Sequence, residues 1–359
     1  MEISYKHSMR ALRALAAGCA SIIAAGAAQA ETYNLTISSS HPTVLPWVGQ
    51  LSTLVVAESN QRLEEMGSED RIEWTESYGG ALYGFKDTLE AVGDGLTDAG
   101  WVGTLWEGSK MPLQNMTYFT PFVSDDLVET LKIMNELHRE VPQLKEAWES
   151  QNVVFLGASG VETYHLFTNF PISTLKDLDG RKIIAPGPSA NWIKSLGAVP
   201  VNGALPTYYN QIQTGVADGV VVIVTGAVPN KLQEVAPHVT LVGLGAQMTG
   251  GFGINKDVWE GLSDDVRKVL TELGEEYTIA HAEEVLSRYR AFLQKLPENG
   301  AVVSALPEAE IEAWASGLPN LAQDWVTANA DKGAGEVLEA YMAKVQEANL
   351  SPRIDWSNR

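Results

Sequence analysis

The apolar residues alternate between strand-like and helix-like spacing, and this pattern restricts the possible folds more than any other feature. Residues 33–38 alternate as a half-buried strand, and the residues after them recur at three- and four-residue spacing up to Gly67, as in an amphipathic helix. Strands are then predicted at 71–75 and 98–102, with a helix around 85–93 between them. Strands that alternate with helices are typical of a parallel α/β sheet.

A second set of strands and helices begins near Val153, after a helix predicted over 125–151. The run Val220 to Val224 is apolar at every position, as in a strand that is covered on both faces. The chain therefore contains two α/β units, and helix dominates from about Asp257 onwards. The other predicted strands are at 164–168, 182–185 and 238–244, and the other predicted helices are at 189–196, 206–215, 263–296, 308–316 and 334–347.

The composition is that of a folded protein, because 45% of the 359 residues are hydrophobic and 19% are charged. The 45 acidic residues outnumber the 25 basic ones and give a net charge of −20. Binding to nucleic acid or to an anionic membrane surface needs clustered Lys and Arg, so this charge argues against both.

The first 30 residues resemble a secretory signal peptide. Lys6, Arg10 and Arg13 precede an Ala-rich apolar stretch, and Ala28 to Ala30 supplies a small-x-small cleavage site. We expect a mature periplasmic chain that starts at Glu31 and contains no cysteine, because Cys19 is the only one. Two alternatives are a lipoprotein signal acylated at Cys19 and a retained anchor, although the apolar stretch is shorter than the roughly 20 residues that span a membrane.

No motif for catalysis, metal binding or nucleotide binding occurs in the sequence. It has no H-E-x-x-H, no phosphate-binding loop, no complete dinucleotide-binding loop and no G-x-S-x-G elbow. We therefore predict no cofactor, no metal and no enzymatic activity. His165 with Glu162 is the only weak candidate for an acid–base pair.

Several segments resemble a known family of ligand-binding clamps. Residues 177–187, with the sequence DLDGRKIIAPG, resemble its strand signature, and residues 209–219, YNQIQTGVADG, resemble its Y-x-A-L-Q-x-G-x-V-D-G pattern. The family is that of the periplasmic solute receptors of tripartite ATP-independent (TRAP) transporters, which are dicarboxylate-receptor-like proteins. Further matching pieces, in the family's order, lie at 120–122, 167–169, 196–200, 254–256 and 262–265.

The resemblance implies a two-lobed α/β clamp with the ligand cleft between the lobes and a long hinge-spanning helix. The long helix matches the run after Ser263. Lobe I is expected at 31–157 plus about 247–298, and lobe II at 158–246 plus about 299–359. The implied partners are a small organic solute and the small and large membrane subunits, without membrane insertion of the mature chain.

Three positions depart from the anion-binding pattern of the family. Ile184 stands where the family usually has an Arg that pairs with the ligand carboxylate. A second family Arg falls on Tyr164 or His165, and an expected Asn falls near Val222. Burial of a carboxylate against such residues would be unfavourable by several kcal/mol.

Aromatic and acidic residues in the cleft loops suggest another class of ligand. Trp101 with a carboxylate would suit an amino alcohol, a quaternary amine or a neutral polar solute. The alternative is an organic acid, a carboxylate or sulfonate, bound in a shifted pose. Trp47 is assigned to an apolar helix face, while Trp106 and Trp192 are weaker cleft candidates. The predicted ligand-binding residues are Trp101, Tyr209, His165, Tyr164, Glu76, Tyr78, Glu162, Ile184 and Val222.

Overall fold

The computed structural model describes residues 30–359. The predicted signal peptide and its two alternatives lie outside the described residues, except for Ala30, and stay predictions. In the described part of the chain, no helix is both long enough and apolar enough to cross a membrane.

Strands form where the sequence alternates or is continuously apolar, and they belong to two sheets. In chain order they are β1 (Thr32–Ser38), β2 (Arg71–Ser77), β3 (Ala99–Val102), β4 (Val153–Val161), β5 (His165–Thr168), β6 (Lys182–Ile184), β7 (Val199–Val201), β8 (Gly219–Val222), β9 (His238–Leu241), β10 (Gln247–Asn255) and β11 (Val302–Ala305).

Most of the helices bury apolar residues against the sheets or against other helices. They are α1 (Pro46–Gln50), α2 (Ala57–Glu65), α3 (Thr88–Gly93), α4 (Met116–Phe119), α5 (Leu127–Glu140), α6 (Pro142–Glu149), α7 (Ala190–Lys194), α8 (Leu205–Gln213), α9 (Val224–Ala227), α10 (Lys256–Gly261), α11 (Asp264–Lys295), α12 (Glu308–Gly317), α13 (Leu321–Ala328) and α14 (Ala334–Glu347). A π-helical segment, Leu51–Val56, joins α1 to α2 without a break.

The first sheet has the strand order β2-β1-β3-β10-β4, and the second has the order β11-β9-β5-β8-β6-β7. In the first sheet β10 runs antiparallel to both β3 and β4. In the second sheet β5 runs antiparallel to both β8 and β9. The expectation of parallel sheets was therefore wrong in part, because both sheets are mixed.

Two segments pass directly from one sheet to the other. Residues 162–164 connect β4 to β5, and residues 242–246 connect β9 to β10. Helix α11 packs against β4 of the first sheet and against α9, which follows β8 of the second. The helix begins at a cap in which the Ser263 side chain accepts a hydrogen bond from the Val266 amide. The long helix and the two crossings connect the sheets as the resemblance implied.

Two sequence expectations are corrected by the structure. The helix expected over 125–151 is broken between Glu140 and Pro142, because a proline cannot continue the hydrogen bonding of a helix interior. The strand β10 was missed, because its glycines at 250, 251 and 253 are unfavourable for an isolated strand.

The predicted lobe boundaries stay predictions. Helix α14 packs on α5, and α13 packs on α4, whereas the Trp314 indole donates to the Trp192 carbonyl oxygen at 2.8 Å. The C-terminal helices thus contact parts of the chain that were assigned to both lobes.

Candidate ligand-binding site

A cavity lies between the two sheets, beside the first crossing segment. The volume of the cavity that the centre of a water-sized sphere can reach is about 80 Å³. Val161 and Tyr164 border it at the first crossing, and Thr249 borders it at the start of β10. Around the first sheet its wall includes His41, Trp47, Phe85, Trp101, Leu105 and Trp106. Around the second sheet it includes Pro186, Leu205, Tyr208, Val221, Val222 and Ile223.

The wall beside the first sheet is a cluster of aromatic rings. The ring centroid of Trp101 lies 4.9 Å from that of His41, 6.0 Å from that of Trp106 and 6.2 Å from that of Trp47. Gly103 makes this packing possible, because a Cβ there would lie 2.8 Å from the Trp101 ring and 2.7 Å from the Trp106 ring. These four residues, His41, Trp47, Trp101 and Trp106, are called the aromatic cluster below.

Trp101 is held rigidly within the cluster. It lies on β3 opposite Phe252 of β10, and its side chain is almost fully buried. Its indole N–H donates to the Ser159 hydroxyl at 2.7 Å. Because this donor is already used, Trp101 offers a ligand its ring surface and not its N–H group.

The opposite wall is aliphatic except for two tyrosines. Tyr208 lies near the start of α8 and is buried. Tyr164 shares a hydrogen bond of 2.8 Å with the Tyr118 hydroxyl. Trp192 stacks on Tyr118 at 5.6 Å and supports this arrangement from outside the cavity.

The cavity wall is uncharged at neutral pH. Among the lining residues, all within 30–359, none is Lys, Arg, Asp or Glu. Burial lowers the pKa of His41 to about 4, so its imidazole is neutral at pH 7. Burial also raises the pKa of Tyr164 and Tyr208, which keeps both phenols protonated. In the same part of the chain, no group of three or more His, Cys, Asp or Glu is placed to hold a metal ion.

Trp101, Tyr164 and Val222 are the predicted ligand-binding residues that line the cavity. Ile184 is completely buried on β6 and does not line it. Tyr209 also lies outside, since its hydroxyl donates to Glu234 at 3.0 Å in a partly exposed position. The structure places Tyr208 on the wall in its stead.

The two remaining positions near the first sheet also lie outside the cavity wall. Glu76 is exposed on β2, and Tyr78 is partly buried in the loop that follows. Burial, with the charge of Glu76 as a smaller cause, raises the pKa of the Tyr78 hydroxyl.

Glu162 and His165 are buried but are bonded to other groups and do not line the cavity. Glu162 accepts hydrogen bonds from the Thr225 amide at 2.7 Å and from the Thr225 hydroxyl at 2.8 Å. The Nδ1 atom of His165 accepts from the Val242 amide at 3.1 Å, and its Nε2 lies 2.8 Å from the Tyr289 hydroxyl. Both side chains therefore support the crossing segment between β4 and β5.

Sequence reasoning missed several wall residues. Trp47 was assigned to an apolar helix face, and His41 and Phe85 were not singled out, while Tyr209 was selected over its neighbour Tyr208. The spacing of Tyr208 and Ile212, both buried on α8, carried a usable signal, because residues four apart share a helix face. Phe85 gave no comparable signal.

The buried carboxyl of Glu162 leads to a pH prediction. Burial raises its pKa from 4.5 to about 7, so the stability that it contributes is fully present below about pH 4.5 and is lost as the pH rises to about 7. Relative to Glu162→Gln, the wild type should lose on the order of 2 to 3 kcal/mol of unfolding free energy over this window. Urea unfolding at several pH values from 5 to 8 measures the difference. Two curves that stay parallel would contradict the prediction.

The first comparison with known proteins is a family model that covers most of the chain. The model of bacterial extracellular solute-binding protein family 7 matches residues 51–328. The ectoine-binding periplasmic protein TeaA of Halomonas elongata is 25% identical over 185 residues, which are 49% of this chain and 52% of TeaA. The match thus spans about half the length of that relative.

The matches to solved structures with the same fold cover nearly the whole of the matched chains. A TRAP periplasmic solute-binding protein of Sulfitobacter sp. NAS-14.1 with bound β-D-galacturonate is 20% identical with a TM-score of 0.68, over 86% of this chain and 99% of that one. A marine metagenome TRAP solute-binding protein specific for aromatic acid ligands, in complex with 3-hydroxybenzoate, is 20% identical with a TM-score of 0.75. The match covers 89% of this chain and 99% of that one. At this identity the likeness shows the fold, a two-lobed α/β clamp.

Proposed function

Because the chain belongs to bacterial extracellular solute-binding protein family 7, we propose that it is the periplasmic receptor of a TRAP transporter. It binds a small organic solute in the cavity between its lobes and delivers the solute to the membrane subunits. The observation that carries the proposal is the composition of the wall, which comes from residues around both sheets and from Tyr164 in the first crossing segment.

This placement supports capture of the solute by closure of a hinge. The crossing segments 162–164 and 242–246 are the direct connections between the sheets. A rotation about them would separate the aromatic cluster from Leu205 and Tyr208 and open the cavity to solvent. Closure would then bury the solute almost completely, as is usual in small-molecule sites.

The relatives support an organic acid as the solute. Galacturonate and 3-hydroxybenzoate, which are bound by two of the solved structures, are both carboxylates. In this chain a carboxylate would meet only neutral donors, such as the indole N–H of Trp106 and the hydroxyls of Tyr208 and Thr249. An organic acid held by these groups is the second candidate.

The cavity wall itself supports the other candidate, a cationic or neutral polar solute. Aromatic faces attract cations, and the wall contains no Lys or Arg to repel them. The carboxylate partners predicted from the sequence, Glu76 and Glu162, do not line the cavity, so the rings act without them. The family and the relatives are solute-binding proteins, which supports a transport role over an enzymatic one.

A thermal-shift screen of residues 31–359 tests the proposal. The screen compares amines, amino alcohols, betaines, carboxylates, sulfonates and neutral alcohols. A ligand at about 100 times its Kd stabilises the folded state by about 2.7 kcal/mol, so we expect the Tm to rise by about 4 °C with the true class.

Two variants show whether the cavity is the binding site. Ala204→Trp puts an indole into the cavity wall and should abolish the shift. Val216→Trp adds the same ring at an exposed position and should leave the shift unchanged. A shift that persists in Ala204→Trp would place the binding site elsewhere.

A further inference from the structure

We propose that the solute is uncharged when bound, with a compact ring or branched hydrocarbon body and one or two hydroxyl or carbonyl oxygens. This inference rests on the receptor function proposed above and names the ligand class of the same cavity.

The first argument is that no charged group is available to a ligand in the wall. Lys86 follows the lining residue Phe85, but it is exposed, with its Nζ 5.8 Å from the centroid of the Phe85 ring, and it is not among the lining residues. Arg288 lies in an adjacent groove that also contacts Trp47, and its guanidinium pairs with Glu284. The carboxyl of Glu162 is bonded to Thr225. A charged solute would thus lose its hydration without gaining an ion pair.

The second argument concerns an anionic solute. The faces of aromatic rings carry negative electrostatic potential, and the aromatic cluster forms much of one wall. The imidazole of His41 is neutral at pH 7 before a ligand binds, because burial lowers its pKa to about 4. A carboxylate would therefore enter a low-dielectric space with only neutral hydrogen-bond donors as partners.

The third argument concerns a cationic solute. The rings of the aromatic cluster already contact one another, with Trp101 at 4.9 to 6.2 Å from the other three centroids. The opposite wall is aliphatic apart from Tyr164 and Tyr208, and it offers a cation no carboxylate. Attraction from one side leaves the hydration of an ammonium group only partly replaced.

An uncharged solute with an apolar body matches both walls. Its hydrocarbon part would pack between the aromatic cluster and the aliphatic wall, where transfer from water is favourable. Its oxygen atoms would find neutral partners in Trp106, Tyr208 and Thr249, which line the same cavity. This class needs no ion pair, in keeping with the composition of the wall.

The test uses ligands of one shape that differ in charge. Cyclohexylammonium, cyclohexanol and cyclohexanecarboxylate form one series, and benzylammonium, benzyl alcohol and benzoate form a second. Isothermal titration at neutral pH, supported by the fluorescence of the cavity tryptophans, gives the Kd of each ligand. We expect the alcohol of a series to bind at least tenfold more tightly than both charged members.

A titratable ligand provides an internal control. The affinity for para-nitrophenol should fall tenfold for each pH unit above the ligand's own pKa, whereas the affinity for benzyl alcohol should stay constant over the same range.

Tighter binding of a charged member overturns this inference and leaves the receptor function standing. If no compound of either series or of the wider screen binds, the receptor function itself fails together with the inference.

Discussion

Trp101→Ala is expected to reduce the affinity for the solute at least about tenfold and to lower the unfolding free energy by about 3 kcal/mol. The indole contacts the other three rings of the aromatic cluster and is almost fully buried. Its removal would enlarge the cavity and leave the hydroxyl of Ser159 without its donor. Titration with the ligand found in the thermal-shift screen and urea unfolding measure the two effects.

Matched variants separate binding from stability. Ser159→Ala removes the hydrogen bond to the indole and the interaction with the Tyr277 hydroxyl but keeps the ring, so it should destabilise the chain by about 1 to 2 kcal/mol and leave the affinity nearly unchanged. Trp74→Ala removes an indole that does not line the cavity and should affect stability alone. An unchanged affinity in Trp101→Ala would exclude Trp101 from the binding site.

Gly274→Ala is expected to cost on the order of 3 kcal/mol of unfolding free energy. Gly274 lies where α11 crosses β4, and a Cβ there would lie 2.4 Å from the Leu156 carbonyl oxygen. Gly157 faces it, since a Cβ on Gly157 would lie 2.1 Å from the Gly274 oxygen. The backbone atoms of the helix and the strand touch, so a methyl group forces them apart.

Gly317→Ala is the control for this variant. Gly317 ends α12, and a Cβ there would meet no atom within 4 Å. This variant should be neutral or slightly stabilising, because alanine favours a helix by about 1 kcal/mol over glycine. Urea unfolding compares the two variants, and equal stabilities would contradict the close approach of α11 and β4.

The helices and strands could be predicted where a local pattern was sufficient. The apolar run after Gly219 became β8, which is covered by neighbours on both sides in the second sheet. Strand β10 could not be predicted in this way, because its glycines are required by partners that are distant in sequence. A Cβ on Gly250 would lie 2.0 Å from the Val102 carbonyl oxygen.

Some residues of the candidate site could likewise be predicted from the sequence, and others could not. Trp101 was predicted to face the cleft because it lies at the end of the third predicted strand, which the family resemblance turns toward the cleft, and it lines the cavity. Of two adjacent tyrosines, Tyr209 was selected from the sequence, but Tyr208 is the one that is buried. The start of α8 at Leu205 sets which of the two faces inward. The carboxylate of Glu162 was expected in the cleft, yet it is bonded to Thr225, a contact between residues 63 apart in sequence.

The sequence by itself determined the class of fold, the family and the lack of an Arg at position 184, because periodicity and motifs are local properties of the chain. Only the tertiary structure decided which side chains form the cavity wall and that the wall is uncharged. The aromatic cluster joins His41 and Trp47 to Trp101 and Trp106 across the first sheet. Its electrostatic character depends on burial and on which charged groups are paired elsewhere, and both depend on contacts between distant segments.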